Sequence, residues 1–495
     1  MLNALKRENN VAYTENGAVT NRSSLSDCVD FFATVGALRW ASDAEIVTRF
    51  IRAFGEDKDV GLKILFFGRD VREGLGERRT FRVILKYLGN NHPSTIKKNI
   101  EYIAEYGRFD DLLCLLDTEC RDEVIAYIKR QLEADMKNLA KGESISLLAK
   151  WMPSINASNR ETVRLANILA KGLNLKPGQY RKMLSKLRQS LDLIENRLRE
   201  NDYTFNYSKQ PSKAMLKYKA AFWRNDGERY NAYLESVSRG EAKLNASTIM
   251  PYELVDPYLG QYWYDNGTSM RDITEEESLT LNAIWDAMPD FTNRENALVI
   301  VDTSGSMYCC ENPKPASVAL SLGIYLAERN QGLFHDYFIE FSREPRLIEL
   351  KGETFTDKLR YITTFNEVAD TNIEAVFKLI LDAAVKNNIP QEELPQTLYI
   401  VSDMQFNRCV RNADISNFEN AKQMFAEHGY KLPKVVFWNV AARGGNMPVT
   451  KNEAGVALVS GCTPNLFSRV LADDMNPYDF MMEVVGSERY AKIAA

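Results

Sequence analysis

Three oxygen-bearing side chains stand at alternate positions in "VIVDTSGSM" (299–307), namely Asp302, Ser304 and Ser306. At i, i+2 and i+4 after an apolar run they can converge on a hard cation, or they can make a turn and cap a helix. Thr371 in "VADTNIEAVF" adds a hydroxyl, and Asp403, closing "LYIVSD", adds a second carboxylate. Two carboxylates with three hydroxyls form an all-oxygen set that suits Mg²⁺ or Mn²⁺. Other site chemistries find little material. The only histidines are His92, His335 and His428, which argues against histidine-built zinc sites and against Ser/His/Asp catalysis. Each of the three reads as an ordinary surface or packing residue. The seven cysteines are scattered without a CxxC pair, so free thiols are expected, and the adjacent Cys309 and Cys310 are a poor disulfide candidate. Two-metal nucleases need more carboxylates than Asp302 and Asp403, and no Walker lysine motif occurs, so the chain is not expected to be an enzyme.

A second kind of chemistry is carried by cations. The net charge is −5, but residues 291–495 hold 20 basic and 26 acidic residues, whereas 176–246 hold 15 basic and 8 acidic. A basic sector inside a mildly acidic protein is where phosphate contacts are sought, against the blander reading of solvated helix faces. In "FFGRDVREGLGERRTF", Arg69, Arg72, Arg78 and Arg79 surround Gly68, Gly74 and Gly76, so backbone and guanidinium groups could approach phosphates together. The same stretch also reads as a helix–loop–helix joint held by local pairs such as Arg69–Asp70 and Glu77–Arg78. "YRKMLSKLR" places Arg181, Lys182, Lys186 and Arg188 on a helix, and "SKQPSKAMLKYKAAFWR" adds Lys213 and Lys217 among aromatics. Tyr218, Phe222, Trp223 and Trp151 read as core rather than base platforms at that spacing.

These residues need elements to position them. At 495 residues two or more domains are expected. Residues 1–290 read as helix after helix with brief polar joints, including "SDAEIVTRFIRAFGED" behind a capping Ser42, "RTFRVILKYLGNN", "FDDLLCLL" and "ISLLAKWMPS". Paired helices of that kind suggest an all-helical, HEAT-like solenoid. From 291 to 495 the pattern alternates: strands "ENALVIVD", "HDYFIEFS", "QTLYIVSD", "KVVFWNVAA" and "GVALVSG" are interleaved with helices such as "PASVALSLGIYLAERN" and "PNLFSRVLAD". That predicts a parallel, Rossmann-like sheet covered on both faces, with ligands at the carboxyl ends of its strands. No apolar run reaches the roughly 18 residues of a membrane span, and "MLNALKRENNVAYTENG" has no signal-peptide core. A cytoplasmic monomer is expected.

"DTSGSM" with the later Thr371 and Asp403 resembles the metal-ion-dependent adhesion site of von Willebrand factor A domains, whose pattern is DxSxS, then Thr, then Asp. The resemblance implies that Asp302, Ser304, Ser306, Thr371 and Asp403 hold the metal and leave one coordination position to an acidic group of a partner. A helical solenoid ahead of such a domain is similar to the TROVE proteins, the Ro autoantigen family. It looks closer still to a TROVE-related group of cellular and viral proteins with this two-part plan. The likeness lies in "FFGRDVREGLGERRTF" (66 to 81), "YGRFDDLL", "LAKWMPS", "QYRKMLSKLRQSLDLIE" and "YSKQPSKAMLKY". It implies a ring-shaped solenoid and an RNA partner, either small structured RNA or single-stranded ends. The expectation is therefore an RNA-binding ribonucleoprotein scaffold with partner docking at the metal. A metal-dependent protein-interaction scaffold without RNA is the alternative.

Overall fold

The computed structural model describes residues 1, 5, 8–260, 270–293, 295–308, 312–341, 344–365, 371–409, 414–469 and 474–495. A helical N-terminal region precedes a C-terminal α/β region built on a mixed sheet. Helix starts follow the local chemistry. Ser42 accepts the Glu45 N–H and opens the helix Asp43–Glu56, whose Ile46, Phe50, Ala53 and Phe54 face the core. Asp57 alone separates that helix from Lys58–Arg69: its N–H closes the first on Ala53 O, and its carboxylate accepts the Val60 N–H at 2.9 Å to open the second. Arg78–Asn91 and Pro93–Tyr106 meet at His92, with proline at the first helical position. Further helices run Arg121–Ala140, Arg160–Gly172 and Pro177–Ser190, and Ser212–Ser238 is kinked at Asp226.

Two expected helices come out differently. "FDDLLCLL" forms a 3-10 helix, Phe109–Leu115. In "ISLLAKWMPS" only Leu148–Trp151 is helical, because Pro153 forces Met152 into an extended conformation with ψ 144°.

Strands β1 (Val11–Tyr13) and β2 (Val19–Asn21) form an N-terminal hairpin that the sequence pattern did not announce. The main sheet contains β3 (Ala297–Asp302), β4 (Tyr337–Phe341), β5 (Arg346–Glu349), β6 (Thr397–Ser402), β7 (Lys434–Asn439) and β8 (Val456–Ser460). Their order is β5-β4-β3-β6-β7-β8. All neighbours pair in parallel except β4 and β5, so the expected parallel sheet is in fact mixed. The short connection from Phe341 to Arg346 is too brief for a crossover, which leaves antiparallel pairing as the only option. The "PNLFSRVLAD" helix is likewise a 3-10 turn, Pro464–Ser468, ended by extended backbone at Arg469; residues 470–473 lie outside the described residues.

The chain runs outward from β3 to β5 on one side and from β6 to β8 on the other. The strand order therefore reverses between β3 and β6, and the crevice at their carboxyl ends is the switch point where such sheets take ligands.

The α/β region touches both ends of the helical region. Near the chain start, Gly36 donates its N–H to Ser460 Oγ at 3.0 Å, and a Cβ at Gly36 would lie 2.7 Å from Gly461 Cα. Arg489 from the C-terminal tail grips the buried Asp70 through two bonds of 2.8 and 3.0 Å, and the Tyr490 ring stacks on Tyr106. At the other end, Trp285 of the helix Glu275–Asp286 stacks on Phe355 with ring centroids 4.1 Å apart. Asp256 accepts from Ser317 Oγ and Lys314 N at the head of the helix Pro315–Arg329. That helix is pressed between sheet and helical region and is buried from Pro315 to Ala327, which explains its nearly all-round apolar sequence. Among the described residues no helix is long and apolar enough to cross a membrane.

Candidate functional site

β3 ends on Asp302 and β6 on Ser402, one residue before Asp403, so the parallel pairing of these strands brings both carboxylates to the switch point. Asp302 is fully buried; its Oδ1 accepts the Ser304 N–H at 2.9 Å and its Oδ2 accepts Ser402 Oγ–H at 2.5 Å. Ser304 and Ser306 place their Oγ atoms 3.1 Å apart. Thr371, also buried, precedes the helix Ile373–Asn387, and its carbonyl accepts the Asn407 N–H from the loop that follows Asp403. Asp403 accepts the Gln405 N–H with Oδ1, while its buried Oδ2 lacks a hydrogen-bond partner.

Burial, and then the charge of Asp403, pushes the Asp302 carboxyl up to about 7. Two carboxylates forced together in a buried crevice, one with an oxygen that accepts no hydrogen bond, fit a hard cation that neutralises both. Among the described residues no group of three or more His, Cys, Asp or Glu is arranged to hold a metal ion, and a cation at this crevice would be held by hydroxyls as much as by charge. Asp302, Ser304, Ser306, Thr371 and Asp403 are the residues that would hold it.

Two neighbours of the crevice escaped the sequence reading. Arg443, in the loop after β7, donates to Ser306 O and sets its Nε 3.5 Å from Asp403 Oδ2, so it supplies part of the missing positive charge. Asn16, at the turn of the β1–β2 hairpin, donates its Nδ2–H to Thr371 Oγ1 at 3.1 Å and to Gln405 O at 2.6 Å. Thr14 Oγ1 donates to Phe406 O, and Met447 exchanges backbone bonds with Asn21. The hairpin thus lies across the carboxyl ends of the sheet beside the five candidate ligands. Neither contact leaves a signal in sequence, since Asn16 reaches across 355 residues to Thr371 and Arg443 across 137 to Ser306.

The cationic candidates separate into spent and unspent groups. Arg69 is buried and donates to Asp111 Oδ2 at 2.7 Å, so it belongs to the core and cannot meet a phosphate. Arg188 is occupied by Ala149 O, Met152 O and Ser154 Oγ, where it fastens the segment ending in "KWMPS". Arg79 is paired with Asp43 and with the carbonyls of Arg39 and Ala41, Arg72 donates to Glu105 O, and Lys213 is paired with Glu253. The local pairs considered for "FFGRDVREGLGERRTF" do not form either: Asp70 goes to Arg489 and Glu77 to Arg39. Lys217 lies over the Tyr218 ring at 4.8 Å. Arg78, Arg181, Lys182 and Lys186 remain exposed, with no carboxylate partner among the described residues. Phe222 is core as expected, and Trp223 bonds Thr280, whereas Trp151 is only half-buried and carries Arg108 on its ring at 4.0 Å.

The profile described as "Domain of unknown function (DUF2828)" matches residues 14–131 and 122–293, more than half of the chain. The chain belongs to the DUF2828 family. In this DUF2828 member a second profile, "Domain of unknown function (DUF7788)", matches residues 296–490. Uncharacterized protein L728 of Acanthamoeba polyphaga mimivirus is 32% identical, over 96% of this chain and 87% of that protein. Among solved structures, the Deinococcus radiodurans Ro (RSR) protein is similar with a TM-score of 0.47 and 15% identity, over 94% of this chain and 100% of that one. Proximal thread matrix protein 1 from the mussel byssus is similar with a TM-score of 0.27 and 11% identity, over 39% of this chain and 49% of that one.

Proposed function

We propose that this DUF2828 protein is a non-catalytic RNA-binding scaffold whose α/β region holds Mg²⁺ or Mn²⁺ at the ends of β3 and β6. The observation that carries the RNA half is the helix Pro177–Ser190. It has four basic residues and no acidic one, and Arg181, Lys182 and Lys186 stand exposed without carboxylate partners among the described residues. Exposed cations along one helix without acidic neighbours make a positive patch, and a polyphosphate backbone is an anion that matches such a patch over a helix length.

In this reading the helices form a HEAT-like solenoid up to about residue 290, and an α/β region of von Willebrand factor A type closes it into a ring. The contacts of the α/β region with both the first and the last helices support that closure. Asp302, Ser304, Ser306, Thr371 and Asp403 act as a metal-ion-dependent adhesion site, and the cation binds an acidic group of a protein partner. The Asp403 oxygen that accepts no hydrogen bond and the raised Asp302 carboxyl support a cation at this place.

Gentle purification from the host, followed by ultraviolet absorbance and sequencing of any RNA retained, tests the RNA half. A discrete co-purifying RNA population is expected. Clean protein with no RNA affinity at about 0.1 M salt, where phosphate contacts still hold, would refute it. For the metal half, Mg²⁺-dependent thermal stabilisation is expected in the wild type and absent from Asp302→Ala.

A further inference from the structure

Three separated motifs, "FFGRDVREGLGERRTF", "YGRFDDLL" and "LAKWMPS", come together at one place on the helical surface. Arg78 and Arg82 come from the first turns of the helix Arg78–Asn91, Arg108 and Asp110 from the start of the 3-10 helix, and Lys150 and Trp151 from the short helix at 148–151. Asp110 bridges Arg82 and Arg108, with its Oδ2 2.7 Å from one guanidinium and 2.9 Å from the other. Asp111 is shared between Arg69 at 2.7 Å and Arg82 at 2.6 Å. Four guanidinium groups (Arg69, Arg78, Arg82, Arg108) therefore face two carboxylates, and Arg78 is the one left over.

Arg78 is also badly placed for stability. It stands at the first position of its helix, where the dipole disfavours a cation, next to Arg79 and with no acidic residue in the first turn. Partial burial, and then the charges of Arg82 and Arg108, hold its guanidinium below the usual value. Such an unfavourable cation is what an anion-binding site requires before its ligand arrives.

An aromatic stack adjoins it. The Arg108 guanidinium lies over Trp151 with its Cζ 4.0 Å from the ring centroid, and Lys150 Nζ is 5.7 Å from the same ring. Arg108 retains 29% of its side-chain exposure, and Trp151 is half-buried, so the stack is partly open to solvent. The segment carrying Trp151 is fastened by Arg188 to the helix Pro177–Ser190, and Tyr180 of that helix donates to Pro153 O at 3.0 Å. The basic helix and the arginine cluster are thus rigidly connected neighbours.

We propose that Arg78, Arg108 and Trp151 form the contact for single-stranded RNA, with Arg78 taking a phosphate and the Arg108–Trp151 stack taking the adjacent unstacked base. The inference rests on the RNA-binding reading above and adds a particular site to it. Arginine beside an exposed aromatic is the combination that grips a flexible strand, because every base has a face to stack and every nucleotide a phosphate to pair. A duplex, whose bases stay stacked, gains nothing from the stack.

The test is fluorescence anisotropy of a labelled oligouridine of about 15 nucleotides with the full-length protein, comparing wild type, Arg78→Glu, Trp151→Ala, Trp151→Phe and a control reversal, Lys386→Glu, on the helix Ile373–Asn387 of the α/β region. Arg78→Glu is expected to weaken binding about tenfold or more, with a melting temperature no lower than wild type, because the side chain holds nothing in the fold. Trp151→Ala is expected to weaken binding about tenfold, and Trp151→Phe to restore most of it, since base–aromatic stacking survives in the phenyl ring. Lys386→Glu is expected to stay within about twofold, as charge remote from the strand is largely screened. Unchanged affinity in Arg78→Glu, or equal weakening in Arg78→Glu and Lys386→Glu, would overturn the site while leaving RNA binding itself standing. A wild type that ignores the oligouridine and retains no RNA on purification would overturn both.

Discussion

Removing the Asp302 charge is expected to change stability in opposite directions with and without metal. In the metal-free protein the Asp302 carboxyl is raised from its usual 3.8 to about 7. A raised carboxyl means that the folded state binds a proton more tightly than the unfolded chain. The associated stability is therefore complete below about pH 4 and is lost as pH rises towards 7. At about 1.4 kcal/mol per tenfold change in proton affinity, the gap comes to about 4 kcal/mol of strain above neutrality. Asp302→Asn removes that strain. It also exchanges one accepting oxygen for an amide that must face either the Ser304 N–H or the Ser402 hydroxyl, a mismatch costing about 1–3 kcal/mol. The net expectation in EDTA is a variant about 1–3 kcal/mol more stable than wild type at about pH 8, with the advantage gone by about pH 4. Saturating Mg²⁺ works the other way: at a hundred times the dissociation constant the wild type gains about 2.7 kcal/mol and the variant nothing, which cancels or reverses that advantage. Urea denaturation followed by far-ultraviolet circular dichroism, in EDTA and in Mg²⁺ at both pH values, measures all of these. A variant that keeps the Mg²⁺ response refutes the cation site. A variant less stable than wild type in EDTA near pH 8 refutes the argument that the two buried carboxylates strain the crevice.

Three further outcomes are expected. Reversing Arg181, Lys182 and Lys186 together to Glu weakens RNA binding and lowers the slope of log affinity against log salt by about 2, at about 0.7 for each single-strand phosphate lost; an unaltered slope removes that helix from the interface. Arg489→Ala leaves the fully buried Asp70 without a charged partner, holding only the Tyr490 hydroxyl and the Arg72 N–H, and costs about 3 kcal/mol in urea unfolding. A loss below about 0.5 kcal/mol would show that the C-terminal tail adds no more than a surface salt bridge. Gly36→Ala drives a methyl into Gly461 and the Ser460 carbonyl at 2.7 Å and costs about 1–3 kcal/mol, again read by urea unfolding; full tolerance would mean that the two regions yield easily at this seam.

The order of a helical region followed by an α/β region was legible in the chain because both signals are local. A capping Ser42 ahead of Ile46 and Phe50, or an unbroken apolar run into Asp302, is written within a dozen residues. The spacing of Asp302, Ser304 and Ser306 likewise put three oxygen-bearing side chains at the end of one strand and in the turn behind it. Where the pattern misled, a neighbour outside the window was responsible. Trp151 sits at helical spacing for a core residue, yet Pro153 ends its helix and Arg108 takes its ring.

What tertiary structure alone decided is which charges remain available. Arg69 and Arg78 are nine residues apart in one motif and look alike in sequence, but Asp111 neutralises the first and nothing among the described residues neutralises the second. The same holds at the crevice, where Arg443 and Asn16 arrive from opposite ends of the chain. An ion pair or a hydrogen bond needs its partners within a few ångströms, and distance along the chain says nothing about which partners the fold will deliver. Residue types and short spacings therefore specified the chemistry on offer, and the packing of remote segments determined where it is spent and where it is left free to bind.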